Sequence, residues 1–299
     1  MSDRTAYLAA EGYVEELAHE LGRAERRHGR LLIAAGPPRL AAWAANVWLD
    51  PQEIEIASIS DAAAKLRAVQ RNWAGYTPHL HRRATLIQEQ LPKVSSKPLV
   101  FGAPPPAAPL GSWTLLDPGT MLATARSTSP FPHGEVLFVE DRIGPPSRAY
   151  LKLWEALTLL ECRPAAGRNL PRSRQQSGRL ELGAAADGCA GDQRRQGAAR
   201  PEIVRLPRIE HRLESAFALD PRKVGPVDWL FSDVVCYPAR LLELVERWLA
   251  AGTCRRFVCT IKFQGETDHE AARRFAAIPG SQLRHLFHNK HELTWIKIA

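Results

Sequence analysis

Two apolar runs in the second half of this 299-residue chain end in opposite charges. VDWLFSD puts Asp233 at the end of a strand-like run, and FVCTIK does the same for Lys262. A carboxylate and an ammonium at neighbouring strand ends can pair, and a lysine in a partly desolvated pocket can act as a proton acceptor. Either charge alone marks no more than the point where the chain leaves the core; the two together, on one edge of a sheet, point to a site. His285, His288 and His291 recur at every third residue, which invites a metal reading. Their stretch reads as strand, turn and strand, however, so they face different ways, and no metal centre is expected. Cys162, Cys189, Cys236, Cys254 and Cys259 form no Cys-x-x-Cys pair. A chain of this size buries a core without cross-links, so a reduced compartment is expected.

The elements that position Asp233 and Lys262 follow from apolar periodicity and from caps. Val227–Val235 reads as a buried strand and Pro238–Ala251 as a helix, with Pro at its start and Gly252 past its end. Arg256–Phe263 is a second strand, and Glu266–Ile278 a helix closed by Pro279 and Gly280. Gln282–His288 and Leu293–Ile298 are two further strands suited to a hairpin. This alternation predicts the second half of a doubly wound α/β domain, in which ligands gather at the carboxyl ends of the strands. Upstream, Tyr150, Leu153, Trp154, Leu157 and Leu160 line one face of a helix that Ser147 can cap.

The first third mixes helix (Tyr13–Leu21, and Asp61–Trp73 opened by an Asp cap) with strand (Arg30–Ala35, Lys97–Phe101). GAPPPAAPLG at 102–111 is a breaker, followed by short extended runs at Ser112–Leu116, Met121–Arg126 and Glu135–Val139. The expected layout is therefore a smaller α+β region over 1–110, a connecting β segment over 111–145, and an α/β domain over 146–299.

With 45% apolar and 24% charged residues, the composition excludes disorder and fibres. No run reaches the ~18 apolar residues that span a bilayer, and the N-terminus lacks a basic stretch followed by an apolar one, so a cytoplasmic protein without a membrane partner is expected. Forty Lys and Arg against 32 Asp and Glu give +8, which invites a nucleic-acid partner. Residues 163–200 alone carry eight arginines against three acids, +5 of that total.

Four blocks, SRAYLKLWEAL, DWLFSDVVCYPARL, CRRFVCTIKF and HNKHELTWIKI, resemble those of FtsJ-type RNA ribose 2′-O-methyltransferases, especially the RlmM-like branch acting on large-subunit ribosomal RNA. The resemblance covers roughly 121–299 and includes SPF at Ser129–Phe131 and PSR at Pro146–Arg148. It implies a Rossmann-like domain that binds S-adenosyl-L-methionine and ends in a β-hairpin, with RNA as partner and the N-terminal region as an RNA-recognition module. It also implies a catalytic Lys-Asp-Lys-Glu tetrad: Lys152 in the helix before the cofactor-binding strand, Asp233, Lys262, and Glu292 before the last strand. Lys262 would take the proton of the ribose hydroxyl while Lys152, Asp233 and Glu292 set its protonation state and orient the ribose. Asp233 and Ser215 would touch the cofactor, although Ser215 stands where that branch has an acid and Ala149 where it has a serine.

Between Lys152 and Asp233 the family needs a strand ending in a glycine-rich turn and a second ending in an acid. The residues there are arginine-rich and aperiodic, and their LELGAAADG (Leu180–Gly188) starts too late to serve. Reading 168–201 one nucleotide later permits LDLG, PGGW and SVD, with LDLG 19 residues after Lys152 and its aspartate 23 before that of SVD. A pair of compensating frameshifts near 167 and 201 accounts for this stretch and would lower the net charge to about +2; a genuine arginine-rich insertion is the other account. Taken as written, the stretch leaves the cofactor without a cradle. The alternative function is then a non-catalytic RNA-binding remnant. A third possibility is a different doubly wound enzyme, for which Lys152 and Glu292 would have to lie far from Lys262.

Overall fold

The computed structural model describes residues 4–141, 148–161 and 215–298, with three short pairs at 172–173, 180–181 and 211–212. The chain divides into two compact units, Met1–Val139 and Glu140–Ala299.

In chain order the first unit runs β1 (Arg4–Ala9), α1 (Val14–Leu21), β2 (Arg26–His28), β3 (Leu31–Ala35), β4 (Ala44–Leu49), β5 (Gln52–Glu55), α2 (Ile59–Val69), β6 (Trp73–Gly75), α3 (His81–Glu89), β7 (Gly111–Asp117), β8 (Thr120–Thr124) and β9 (Arg126–Ser127). Two sheets form, in the orders β2-β3-β1-β4-β9 and β5-β8-β7-β6. Trp73 and Trp113 sit in the core of the second sheet with Leu66 and Ile87 from α2 and α3. The Trp73 indole N–H donates to the Leu66 and Gln70 carbonyls, which satisfies its buried polar atom.

Three expectations for this unit change. The helix α2 is capped by Ser58, whose hydroxyl accepts the Asp61 amide at 3.1 Å while the Asp61 carboxylate accepts the Ala57 amide at 2.9 Å. Asp61 is thus the reciprocal partner of a cap three residues upstream. The helix stops at Val69 because Gln70 is extended and Trp73 enters β6. Lys97–Phe101 and Glu135–Val139 contribute one isolated parallel bridge, Leu99 to Phe138, in place of full strands. The boundary expected near 110 moves to 139, because β7 pairs with β6 and β8, β8 with β5, and β9 with β4. Residues 111–127 thus supply β7, β8 and β9 to the two sheets of the first unit rather than connecting it to the next.

The second unit contains α4 (Tyr150–Leu159), the two-residue strands β10 (Arg172–Ser173), β11 (Leu180–Glu181) and β12 (His211–Arg212), then α5 (Pro221–Val224), β13 (Val227–Ser232), α6 (Pro238–Ala251), β14 (Cys254–Lys262), α7 (His269–Ala276), β15 (Ser281–Arg284) and β16 (Glu292–Lys297). Its main sheet has the order β11-β13-β14-β16-β15. β13 and β14 are parallel, joined by α6, whose apolar stripe buries Leu241, Leu242, Leu244, Val245 and Trp248. β16 runs antiparallel to both β14 and β15. These directions bring the end of β13, the end of β14, the start of β16 and the loop after β15 to one edge of the sheet. Beneath it, Phe275 and Trp295 pack with ring centroids 5.8 Å apart, and the Trp295 indole donates to the Phe275 carbonyl at 3.0 Å.

The expected β13–α6–β14 alternation and the β15–β16 hairpin are present, with β13 three residues shorter than expected. Most of 168–201, and the expected cap Ser147, lie outside the described residues. Leu180 and Glu181, the start of LELGAAADG, pair antiparallel with Ser232 and Phe231. A cofactor-binding first strand of a doubly wound sheet would have to run parallel to β13, so Leu180 and Glu181 do not occupy that position.

Candidate active site

The helix α4 buries eight of its ten residues, among them a base and an acid, Lys152 and Glu155. A buried charge persists only with partners. Lys152 Nζ donates to Glu292 Oε1 at 2.7 Å and to Asp233 Oδ1 at 3.2 Å. Lys262 Nζ lies 3.0 Å from the same Asp233 Oδ1. Lys262 and Glu292 are direct cross-strand partners of β14 and β16, and Asp233 follows the last residue of the parallel neighbour β13. Lys152, Asp233, Lys262 and Glu292, read separately along the sequence, thus form one network of two positive and two negative charges.

The two lysines are not equivalent. Burial opposes the Lys152 ammonium, but the carboxylates of Asp233 and Glu292 outweigh it and hold its pKa above the ordinary lysine value. Burial likewise works against the Asp233 carboxylate, yet Lys152 and Lys262 together hold its pKa below the usual range. Lys262 makes a single ion pair among the described residues, the one to Asp233. Asp233 keeps 30% of its side chain exposed, so the network opens to solvent on its side.

A second layer holds Glu292 in place, and sequence reasoning missed it. Glu155, one helical turn after Lys152, accepts the Phe287 amide at 2.7 Å, the His288 amide at 3.1 Å and His288 Nδ1–H at 2.7 Å. It thereby anchors the 285–291 loop, from which the Lys290 amide donates to Glu292 Oε1 at 3.3 Å. Asn289 Nδ2 donates to the Glu292 carbonyl and to Thr294 Oγ1, each at 3.1 Å. The available signal was an acid three residues from Lys152 inside an otherwise apolar helical run, since i and i+3 share a face.

The three histidines go to separate partners: His285 Nε2 to the Lys290 carbonyl, His288 to Glu155, and His291 Nε2 to Thr267 Oγ1. Among the described residues no group of three or more His, Cys, Asp or Glu side chains could hold a metal ion, and no helix is long and apolar enough to cross a membrane. Burial pushes the Cys236 thiol up to about 11 and Cys254 up to about 12, and raises Cys259 as well, so none is a thiolate at neutral pH. Among the described residues the Ser215 hydroxyl makes no hydrogen bond to the four-residue network; it accepts the Phe217 amide at 3.3 Å within its own turn.

No family model matches the chain. It is similar to curated bacterial proteins named Ribosomal RNA large subunit methyltransferase M. The protein of Azoarcus sp. (strain BH72) is 30% identical over 169 residues, covering 50% of this chain and 45% of the relative. That of Thauera aminoaromatica is 28% identical over 168 residues, covering 50% and 45%, and that of Pasteurella multocida (strain Pm70) 27% over 169 residues, covering 50% and 46%. The chain spans less than half the length of these relatives. Over about half of its own length, at 27–30% identity, this chain is a homologue of the bacterial large-subunit ribosomal RNA methyltransferase M proteins.

Proposed function

We propose that this chain transfers a methyl group from S-adenosyl-L-methionine to a ribose 2′-hydroxyl of RNA, with large-subunit ribosomal RNA as the substrate, in the cytoplasm. On this reading the second unit is a Rossmann-like methyltransferase domain and the first contributes to RNA recognition. The observation that carries the proposal is the Lys152–Asp233–Lys262–Glu292 network at one sheet edge. The names of the homologues support the same substrate class.

A ribose hydroxyl is a poor nucleophile until its proton is withdrawn. Lys152, locked as an ammonium between two carboxylates, is a fixed positive post that cannot take that proton. Lys262, with its one ion pair, is the lysine able to turn toward a substrate oxygen and draw on its proton. Asp233 tethers Lys262, and Glu292 anchors the opposite side of Lys152, so both side chains approach the hydroxyl with little freedom left to lose. The methyl donor, when bound, supplies an electrophilic carbon next to a sulfonium charge. The exposed part of the Asp233 carboxylate fits a neighbour of that charge, and Ser215 keeps an O–H donor beyond the amide it accepts. The cradle expected for the rest of the donor falls in 168–201, outside the described residues.

Lys262→Ala should abolish methyl transfer to ribosomal RNA while donor affinity by calorimetry stays within a few-fold. Equal loss of both would remove Lys262 from the role of proton acceptor. The antiparallel Leu180–Glu181 pairing in place of a parallel first strand favours a second reading, an RNA-binding protein on a methyltransferase scaffold. Absence of donor binding by the unaltered chain, with RNA binding kept, would select it.

A further inference from the structure

The second unit exposes three large hydrophobic side chains among its described residues: Val235 (62%), Tyr237 (70%) and Phe287 (38%). Scattered singly they would need no explanation. All three leave the sheet at the edge that carries the tetrad, Val235 and Tyr237 just after Asp233, and Phe287 in the loop that leads to Glu292.

Beyond β13 the burial of the chain alternates. Val234, Cys236 and Pro238 are buried, Val235 and Tyr237 are exposed, and Asp233 lies between the two classes. The chain bends at Cys236, and Val235 and Tyr237 lie exposed two and four residues beyond Asp233, the carboxylate of the network. The backbone under the Tyr237 ring is rigid. Tyr237 is extended (φ −65°, ψ 142°), as a residue before proline prefers, and its carbonyl accepts the Arg240 and Leu241 amides of the first turn of α6. No hydrogen bond or ring contact with the described residues engages its side chain. Arg240, three residues beyond Tyr237 in the first turn of α6, is exposed. The Arg240 guanidinium is itself held 4.1 Å over the Phe217 ring, which leaves its N–H edge for an anion.

We propose that Tyr237, backed by Val235, is a stacking platform for the base of a single-stranded RNA nucleotide next to the one whose ribose faces Lys262, with Arg240 beside the intervening phosphate. The inference rests on the functional reading above and adds how the substrate strand is held. A rigid, exposed aromatic with a cation on the adjoining helical turn is the combination that single-stranded RNA uses, since every base has a face to stack while its phosphates need cations.

The test uses the full chain and short single-stranded oligoribonucleotides of matched sequence, one complete series and one with a single abasic position, with binding read by fluorescence anisotropy at fixed salt. Tyr237→Ala should weaken binding of the best complete oligonucleotide by about 5- to 100-fold, and Tyr237→Phe by less than about two-fold, because the ring is kept. With an abasic position in the platform register, the unaltered chain and Tyr237→Ala should bind alike. Binding of complete RNA that ignores Tyr237→Ala would overturn the platform alone. An equal loss by Tyr237→Ala on complete and abasic RNA at every position would do the same. Failure of the unaltered chain to bind any RNA would overturn the functional reading and the platform together.

Discussion

Lys152 and Glu292 lie 140 residues apart in the chain, and their side chains meet at 2.7 Å with both almost fully withdrawn from water. Their other partners close the arrangement: Asp233 takes the second hydrogen of Lys152, and Lys262 takes Asp233. Although Lys262 and Glu292 face each other across β14 and β16, their charges are balanced through the other two members. That separation leaves one lysine pinned and the other available.

Removing one member of the buried pair leaves the other without its counter-charge. Lys152→Met should cost about 3–5 kcal/mol of stability, read as a lowered urea midpoint with unchanged slope. Lys152→Met with Glu292→Leu should recover part of that loss, because the more deeply buried of the two carboxylates is then gone and the other, Asp233, keeps Lys262 as its counter-charge. A single-variant cost below about 1 kcal/mol would mean the pair is solvated and the network looser than described.

Glu155 should behave as the anchor of the 285–291 loop. Glu155→Ala removes three acceptor contacts and should cost about 2–4 kcal/mol, with the Phe287 and His288 amides losing protection in hydrogen exchange ahead of the rest of the sheet. Glu155→Gln keeps an acceptor oxygen and should restore part of that protection. Unchanged exchange in Glu155→Ala would show that the loop is held by other means.

Acid should loosen the same loop through His285. Burial takes its imidazolium away from water and His291 adds repulsion, so its pKa falls to about 4 despite the acceptor carbonyl of Lys290. The unfolded chain binds this proton near pH 6.5 and the folded chain only near 4, so the contribution of neutral His285 is whole above 6.5 and is lost as pH falls toward 4. The size is about 3 kcal/mol. Its measure is the urea midpoint between pH 7 and 4.5 for the unaltered chain and His285→Gln, the latter showing the shallower dependence. An NMR titration placing His285 near 6.5 would contradict it.

The nucleotide sequence across 168–201 should carry LDLG, PGGW and SVD in its +1 frame, bounded by single-base changes near codons 167 and 201. Long-read resequencing of the locus checks this directly. An unambiguous sequence whose +1 frame lacks an LDLG-x-x-PGGW peptide would leave the arginine-rich stretch as genuine polypeptide, and donor binding should then be absent.

What could be read along the chain was local. Apolar runs and caps delimit β13, α6, β14 and the final hairpin, because strand alternation, a proline at a helix start and a glycine past its end act over a few residues. For the same reason Asp233 and Lys262 stood out as charges ending apolar strands. Their neighbours were harder to see. Lys152 and Glu292 were placed by resemblance alone, and Glu155 was passed over, since an acid on an apolar helix acquires meaning only from what packs against it. The partners of β7, β8 and β9 were also hidden, because a strand pairs with whichever open edge the fold brings near, and no local pattern encodes that choice. The sequence by itself determined β13, α6, β14 and the final hairpin in their chain order and the charges at the ends of β13 and β14. Only the tertiary structure decided that α4 buries Lys152 against that edge, that two lysines share one carboxylate oxygen, and that the loop before Glu292 hangs from Glu155. Each of these is a contact between residues far apart in sequence, where packing geometry rather than local propensity sets the distance.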